Sequence, residues 1–130
     1  RRYVRFTEAT PLNIMHCQTL LIDTIGMLSS IYQYGQVAYI GGGFGVGIHN
    51  TIEAAVYGVP VLFGPNYRHF REAKGLIQAG AGFSVNNYRE LEKQLDDALV
   101  DHETLGRKAR EYVESELGAT EKIYRELFGK

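Results

Sequence analysis

Between Glu8 and Arg68 the sequence carries only two charged side chains, Asp23 and Glu53. A run this poor in charge is expected to contain the buried strands of a sheet rather than solvated surface. Its two carboxylates need partners or solvent, because burying an unpaired charge is costly. Asp23 reads equally as a structural group, capping a helix or pairing with a distant arginine, and as a functional one. For Glu53 the functional reading weighs more. From Arg89 to Lys130 charges are dense and sit on helical faces.

Short apolar runs inside the charge-poor stretch predict strands over 19–23, 37–40 and 59–63, each apolar on both faces as a covered parallel strand must be. Residues 83–85 form a shorter fourth, and Tyr3 to Phe6 a possible edge strand. Helices fit between them over Met27 to Tyr34, Thr51 to Tyr57 and Arg68 to Ala79. The alternation predicts βαβ units in an α/β fold, a Rossmann-like open parallel sheet with helices on both faces. The last third is helical. Asn87 caps a helix with Glu90 completing a capping-box-like pair, and Leu91, Leu95 and Leu99 form its apolar stripe. A second helix from about Asp101 places Leu105, Ala109, Val113 and Leu117 on one face, with Gly118 as its stop. Ile123 and Leu127 then belong to a short third helix.

A chain of 130 residues has room for one compact domain. Fourteen basic against fifteen acidic residues, a net charge of −1, exclude a strongly basic nucleic-acid binder. The single cysteine, Cys17, rules out a disulfide framework or a multi-cysteine metal site, and it lacks a nearby basic activator. His16, His69 and His102 have no ligand spacing, so no metal or cofactor is expected. No run of 18 apolar residues suggests a membrane span, and no apolar signal core follows the N-terminus, so a cytoplasmic protein is expected.

Chemistry is expected at the strand ends. From Tyr39 to Asn50 a strand runs into a loop with five glycines in seven residues, then into a helix. Such a loop lets backbone N–H groups approach an anion, and the Asn50-capped helix start adds its positive end. The spacing is not G-x-G-x-x-G, and a Walker A loop is excluded because no lysine precedes Lys74. A plain strand-to-helix turn is the bland alternative. Glu53, in the first helical turn, is placed to accept from two vicinal ribose hydroxyls or, more prosaically, to pair with Asn50. Five residues on come Gly58, Val59 and Pro60, entering a strand. His49, without a nucleophile or ligand set nearby, reads as a hydrogen-bonding scaffold rather than a general base.

The blocks Leu20 to Leu28, Tyr39 to Gly42, His49 to Ala55 and Gly58 to Pro65 resemble bacterial Kdo transferases, the 3-deoxy-D-manno-octulosonic acid transferases of lipopolysaccharide synthesis. The glutamate-glycine-proline spacing is common to many glycosyltransferases. The Asp23-Thr24-Ile25-Gly26 block and the His49-Asn50 pair are more particular to this family. The resemblance covers nearly the whole chain. It implies part of a two-domain GT-B enzyme, with residues 1–130 forming a portion of the C-terminal nucleotide-sugar (donor) domain. It also implies that the donor CMP-Kdo is contacted by Ile25, Gly26, Met27, Gly43, Asn50, Thr51, Ile52 and Glu53. The sequence departs from the family pattern at Met27, commonly glutamate, at Gly43, commonly serine or threonine, and at Ile48, commonly glycine. The last two changes are expected to alter only loop shape.

The family's catalytic base, a glutamate of the N-terminal acceptor domain, and its Pro-Arg strand end have no counterpart among these residues. The resemblance therefore implies no catalytic residue here and no transfer by this portion alone. It implies a lipid A precursor as acceptor and a parent on the cytoplasmic face of the inner membrane, touching it only through the absent N-terminal part. An edge left unpaired at 3–6 or 20–23 predicts self-association. The shared spacing leaves open a UDP-sugar transferase or epimerase domain, and a non-catalytic interaction domain is the third alternative.

Overall fold

The computed structural model describes residues 2–129. They fall into two compact units, one up to Ile31 and one from Tyr32 onward.

In the first unit, β1 (Tyr3–Arg5) pairs in parallel with β2 (Thr19–Leu21), Val4 opposite Leu20. A 3-10 turn (Phe6–Glu8) and the short α1 (Pro11–Ile14) connect them. Thr10 caps α1 by a reciprocal pair, its Oγ1 accepting from Asn13 N at 3.1 Å while Asn13 Oδ1 accepts from Thr10 N at 2.8 Å. Asp23 has a structural partner. Its carboxylate accepts from Thr7 N at 3.1 Å and from Thr7 Oγ1 at 2.6 Å, tying the segment after β2 to the turn after β1. The unit ends in α2 (Leu28–Ile31).

The expectation of buried strands fails here. Leu20 and Leu21 are exposed, and Val4 is the one buried hydrophobic residue among the described residues up to Ile31. Absence of charge shows only that a segment is not built for water. It does not supply the layer that would cover it.

In the second unit, a 3-10 turn (Tyr32–Tyr34) ends at Gly35, dividing the helix expected over Met27 to Tyr34. Three parallel strands follow in the order β3 (Ala38–Ile40), β4 (Val61–Phe63), β5 (Gly82–Ser84), joined by α3 (Ile52–Ala55) and α4 (Arg71–Ala79). These elements match the α/β expectation with shorter bounds. Pro60 has no N–H to donate, so β4 begins after it, although its carbonyl accepts from Ala38 N at 3.0 Å. Only β4, flanked on both sides, is buried at every position; in β3, Ala38 and Ile40 are buried while Tyr39 is exposed. α3 is a single turn rather than Thr51 to Tyr57, closed by Tyr57 N on Ala54 O and Gly58 N on Ala55 O. α4 starts at Arg71 because Tyr67 to Phe70 is taken up by a turn, Phe70 N donating to Tyr67 O at 2.9 Å. Gly80 stops it in the left-handed conformation, φ +82°.

The helical third is α5 (Tyr88–Val100) and α6 (His102–Phe128). Asn87 caps α5 as expected, Oδ1 accepting from Glu90 N at 3.0 Å, but the Glu90 carboxylate reaches one residue further back, to Asn86 N at 2.9 Å. Leu95 and Leu99 are exposed; Ala98 is the buried residue of α5. Gly118 does not stop α6, and the third helix is the rest of the second. Nothing lies within 4 Å of a Cβ built at Gly118. An interior glycine costs a helix only about 1 kcal/mol, which the helix formers around it and the Arg125–Glu121 pair at 2.8 Å offset. Leu105, Ala109 and Val113 do face inward, whereas Leu117 is exposed.

The core joins one face of β3–β5 to α3, α4 and α6 through Ile40, Val61, Phe63, Leu76, Ala109 and Val113. Leu62, on the opposite pleat, is equally buried, on the strand that α5 approaches. Gly106 of α6 lies on the Gly58 carbonyl, where a Cβ would collide. Along the α4–α6 seam, Glu116 pairs with Arg71 at 3.0 Å and accepts from Tyr112 Oη at 3.0 Å. Burial, and then the Glu116 carboxylate, push the Tyr112 phenol up to about 12.

Candidate functional site

The loop from Gly41 to Thr51 leaves the C-terminal end of β3, the side of an open parallel sheet where ligands bind. It folds on its own backbone: Gly45 N and Gly47 N both donate to Gly42 O at 3.1 Å, and His49 N donates to Gly41 O at 3.0 Å. Gly42 takes φ +92°, which favours glycine.

Gly43 lies backbone to backbone on Gly64, at the end of β4. A Cβ on Gly43 would stand 2.6 Å from the Gly64 Cα. A side chain there would force the two strand-end loops apart, so glycine at 43 does more than shape its own loop. Asn66 then stitches the loops together, donating N–H to Gly43 O at 2.8 Å and its amide to Gly45 O at 2.5 Å. The sequence gives no signal for Asn66 beyond its place in a Gly-Pro-Asn turn.

Asn50 stands one residue before Thr51, the N-cap of α3, and makes an Asx turn into the helix, its Oδ1 accepting from Ile52 N at 2.9 Å while its amide reaches Glu53 Oε1 at 3.4 Å. The Asn50–Glu53 pairing weighed from spacing is therefore present. It leaves the second carboxylate oxygen, Oε2, outside that bond. Glu53 is half-buried and acts on Tyr32, whose phenol is raised by burial first and by this carboxylate second. Thr51 is 3% exposed. Ile52 turns its side chain to the core, so its contribution to a ligand is confined to backbone. Ile25, Gly26 and Met27 belong to the first unit. There Ile25 and Gly26 are exposed, Gly26 has φ +92°, and Met27 O accepts from Ile31 N at 3.0 Å.

Beside the loop opens a cleft of about 310 Å3 lined by Ile48, His49, Asn50, Thr51, Phe70 and Glu72. Its size suits part of a nucleotide-sized ligand. Phe70 and Glu72 escaped the sequence reading, since the turn that returns α4 to the loop is a long-range feature without periodicity. The His49 ring is exposed at the cleft and the described residues give it no hydrogen bond, so only its backbone acts as scaffold. Among the described residues no three His, Cys, Asp or Glu side chains gather as metal ligands would, and no helix is long and apolar enough to cross a membrane.

No protein-family model matches the sequence. Curated relatives do. The 3-deoxy-D-manno-octulosonic acid transferase of Aquifex aeolicus is 37% identical over 82 residues, 62% of this chain and 23% of that protein. The enzyme of the same name from Bordetella pertussis is 34% identical over 113 residues, 81% of this chain and 26% of its own length. That of Chlamydia pneumoniae is 27% identical over 88% of this chain and 28% of its own length. The chain thus spans about a quarter of the relatives it matches. Among solved structures, the C-terminal CMP-Kdo binding domain of WaaA from Acinetobacter baumannii superposes with a TM-score of 0.75 at 24% identity, covering 86% of this chain and 61% of that one. By sequence the chain is a homologue of the Kdo transferases over a segment of their length, and it shares the fold of that C-terminal domain.

Proposed function

We propose that this chain is the donor-nucleotide-binding part of an enzyme that moves Kdo from CMP-Kdo to a lipid A precursor. The observation that carries the reading is the cleft beside Asn50 and Thr51, at the carboxyl end of β3, in a chain homologous to Kdo transferases. Glu53 supplies an acceptor for the vicinal ribose hydroxyls, held by Asn50 while Oε2 lies outside that bond. The phosphate is placed against the backbone of Asn50 and Thr51, which line the cleft. The chain is proposed to need no cofactor and, lacking a base placed on an acceptor hydroxyl, to transfer nothing by itself. The parent works at the cytoplasmic face of the inner membrane, where the acceptor lipid is presented.

An NMR titration with CMP and UMP tests this. CMP is expected to shift Gly43 and residues 50–53, with UMP weaker, and Glu53→Gln to cost about 1–3 kcal/mol of CMP binding. Shifts at Ile25, Gly26 and Met27 test the contacts the resemblance implies for that segment. Stronger binding of UMP favours a UDP-sugar enzyme, and no binding at millimolar nucleotide removes the reading. We also propose that the chain self-associates through its first unit, where β1 and β2 pair only with each other among the described residues. A monomer by light scattering at about a hundred micromolar overturns that.

A further inference from the structure

Two carboxylates lie near the glycine-rich loop, and the structure treats them differently. Glu53 is half-buried, bonded to Asn50, and does not line the cleft. Glu72, in the first turn of α4, lines the cleft together with His49, Asn50 and Thr51 and also borders the groove toward Val113 and Glu116 of α6. It is exposed, and no described residue hydrogen-bonds or ion-pairs with it. The neighbouring cation, Arg71, is taken by Glu116 of α6 at 3.0 Å. Phe70 supplies an apolar wall next to Glu72, its ring close enough to the loop that a Cβ on Gly47 would stand 2.9 Å from it.

We propose that Glu72 is a specificity residue of the donor site, accepting hydrogen bonds from vicinal hydroxyls of the sugar that the nucleotide carries. The inference rests on the CMP-Kdo reading above. An ionised carboxylate only accepts, and it repels the phosphate and the sugar-acid carboxylate of such a donor. The donor groups it favours are hydroxyls and the cytosine amino group, and loss of a contact to the latter would weaken CMP and CMP-Kdo alike. CMP-Kdo offers two sets of hydroxyls, on the ribose and on the Kdo ring and its side chain. The ribose set falls to Glu53. Glu72, which lines the cleft as Glu53 does not, is left for the sugar. A ring wall beside a carboxylate suits a sugar, which presents C–H faces and hydroxyl edges together. Loss of an acceptor from a site built to bind hydroxyls selectively weakens the ligand that has them.

The test is a parallel titration of the chain and of its Glu72→Ala and Glu72→Gln variants with CMP and with CMP-Kdo. Glu72 is exposed, so both variants are expected to unfold at the parent's temperature, and CMP affinity serves as the internal reference. CMP affinity is expected to stay within about twofold or to tighten, because a negative charge near the phosphate is removed. CMP-Kdo affinity is expected to fall about tenfold in Glu72→Ala and less in Glu72→Gln, whose amide oxygen still accepts. Equal losses for both ligands, an unchanged CMP-Kdo affinity, or a parent chain that binds CMP-Kdo no more tightly than CMP overturn the inference alone. Failure of CMP to bind the parent chain removes the CMP-Kdo reading and this inference with it.

Discussion

The two units of this chain are built from similar apolar residues and held by different forces. From Tyr32 onward, β4 is sealed on both faces, and Leu62, Phe63 and Leu76 are 0% exposed. Up to Ile31, Leu12, Met15 and Ile25 are 74%, 77% and 102% exposed. What holds the first unit is hydrogen bonding: the β1–β2 ladder, the Thr10–Asn13 box, Asn13 Nδ2 on Glu8 O at 3.0 Å and the Thr7–Asp23 pair. Net hydrogen-bond gains are of order 1 kcal/mol each, whereas burying a large side chain contributes about 1.5–3 kcal/mol. Stability therefore sits in the second unit.

The largest test of that contrast is truncation. Phe63→Ala is expected to cost about 3–5 kcal/mol and Leu76→Ala about 2–5 kcal/mol, while Leu12→Ala and Met15→Ala stay within about 0.5 kcal/mol. Urea unfolding followed by circular dichroism measures all four. A loss at Leu12 or Met15 comparable with that at Leu76 would mean that the first unit buries its apolar surface in solution. Hydrogen exchange sharpens the point. The amides of Val61 and Val85, bonded to Ala81 O and Phe63 O, should open only with global unfolding, and those of β1 and β2 far sooner.

Next comes the glycine loop, which belongs to the well-packed unit despite its composition. Gly43→Ser is expected to cost about 1–3 kcal/mol, since its Cβ meets Gly64 backbone, which cannot rotate away. Gly45→Ser, where a Cβ has only the Gly42 carbonyl at 3.9 Å, should stay within about 0.5 kcal/mol. Equal effects in thermal unfolding would mean that the two strand-end loops do not touch.

These contrasts show which features a sequence can carry. The Asn87 cap, the buried β4 run and the Asn50–Glu53 pairing were legible because each is set by neighbours within a few residues. The exposure of Leu20 and Leu21 was not, because a charge-poor run looks the same whether or not another layer covers it. Gly118 misled because its helix cost is small beside the propensities around it. Gly43 against Gly64, Asn66 on Gly45, and Glu72 and Phe70 lining one cleft with Asn50 bring together segments some twenty residues apart. Periodicity says nothing of them. The site's local chemistry was therefore readable, and the α4 side of its cleft was not.

The smallest expected effect is a pH response confined to the first unit. The Thr7 hydroxyl bond, then the Thr7 backbone N–H and the Arg5 charge, hold the Asp23 carboxyl below its ordinary value of 3.8, against a partial opposing desolvation. Because the folded pKa lies below the unfolded one, the carboxylate's contribution is complete above about pH 4 and is lost as pH falls through the folded value. Acid should therefore loosen residues 2–31 before the second unit responds, and the loss should be slight because the pair is exposed and screened. Side-chain carbon NMR of Asp23 reads its titration directly. Thr7→Ala should bring that titration up towards 3.8, and Asp23→Asn should remove this part of the acid response of β1 and β2. An Asp23 titration that ignores Thr7→Ala would show that the pair does not form in solution. The first unit would then be held by its short ladder and the Thr10 cap, and the contrast with the second unit would be greater still.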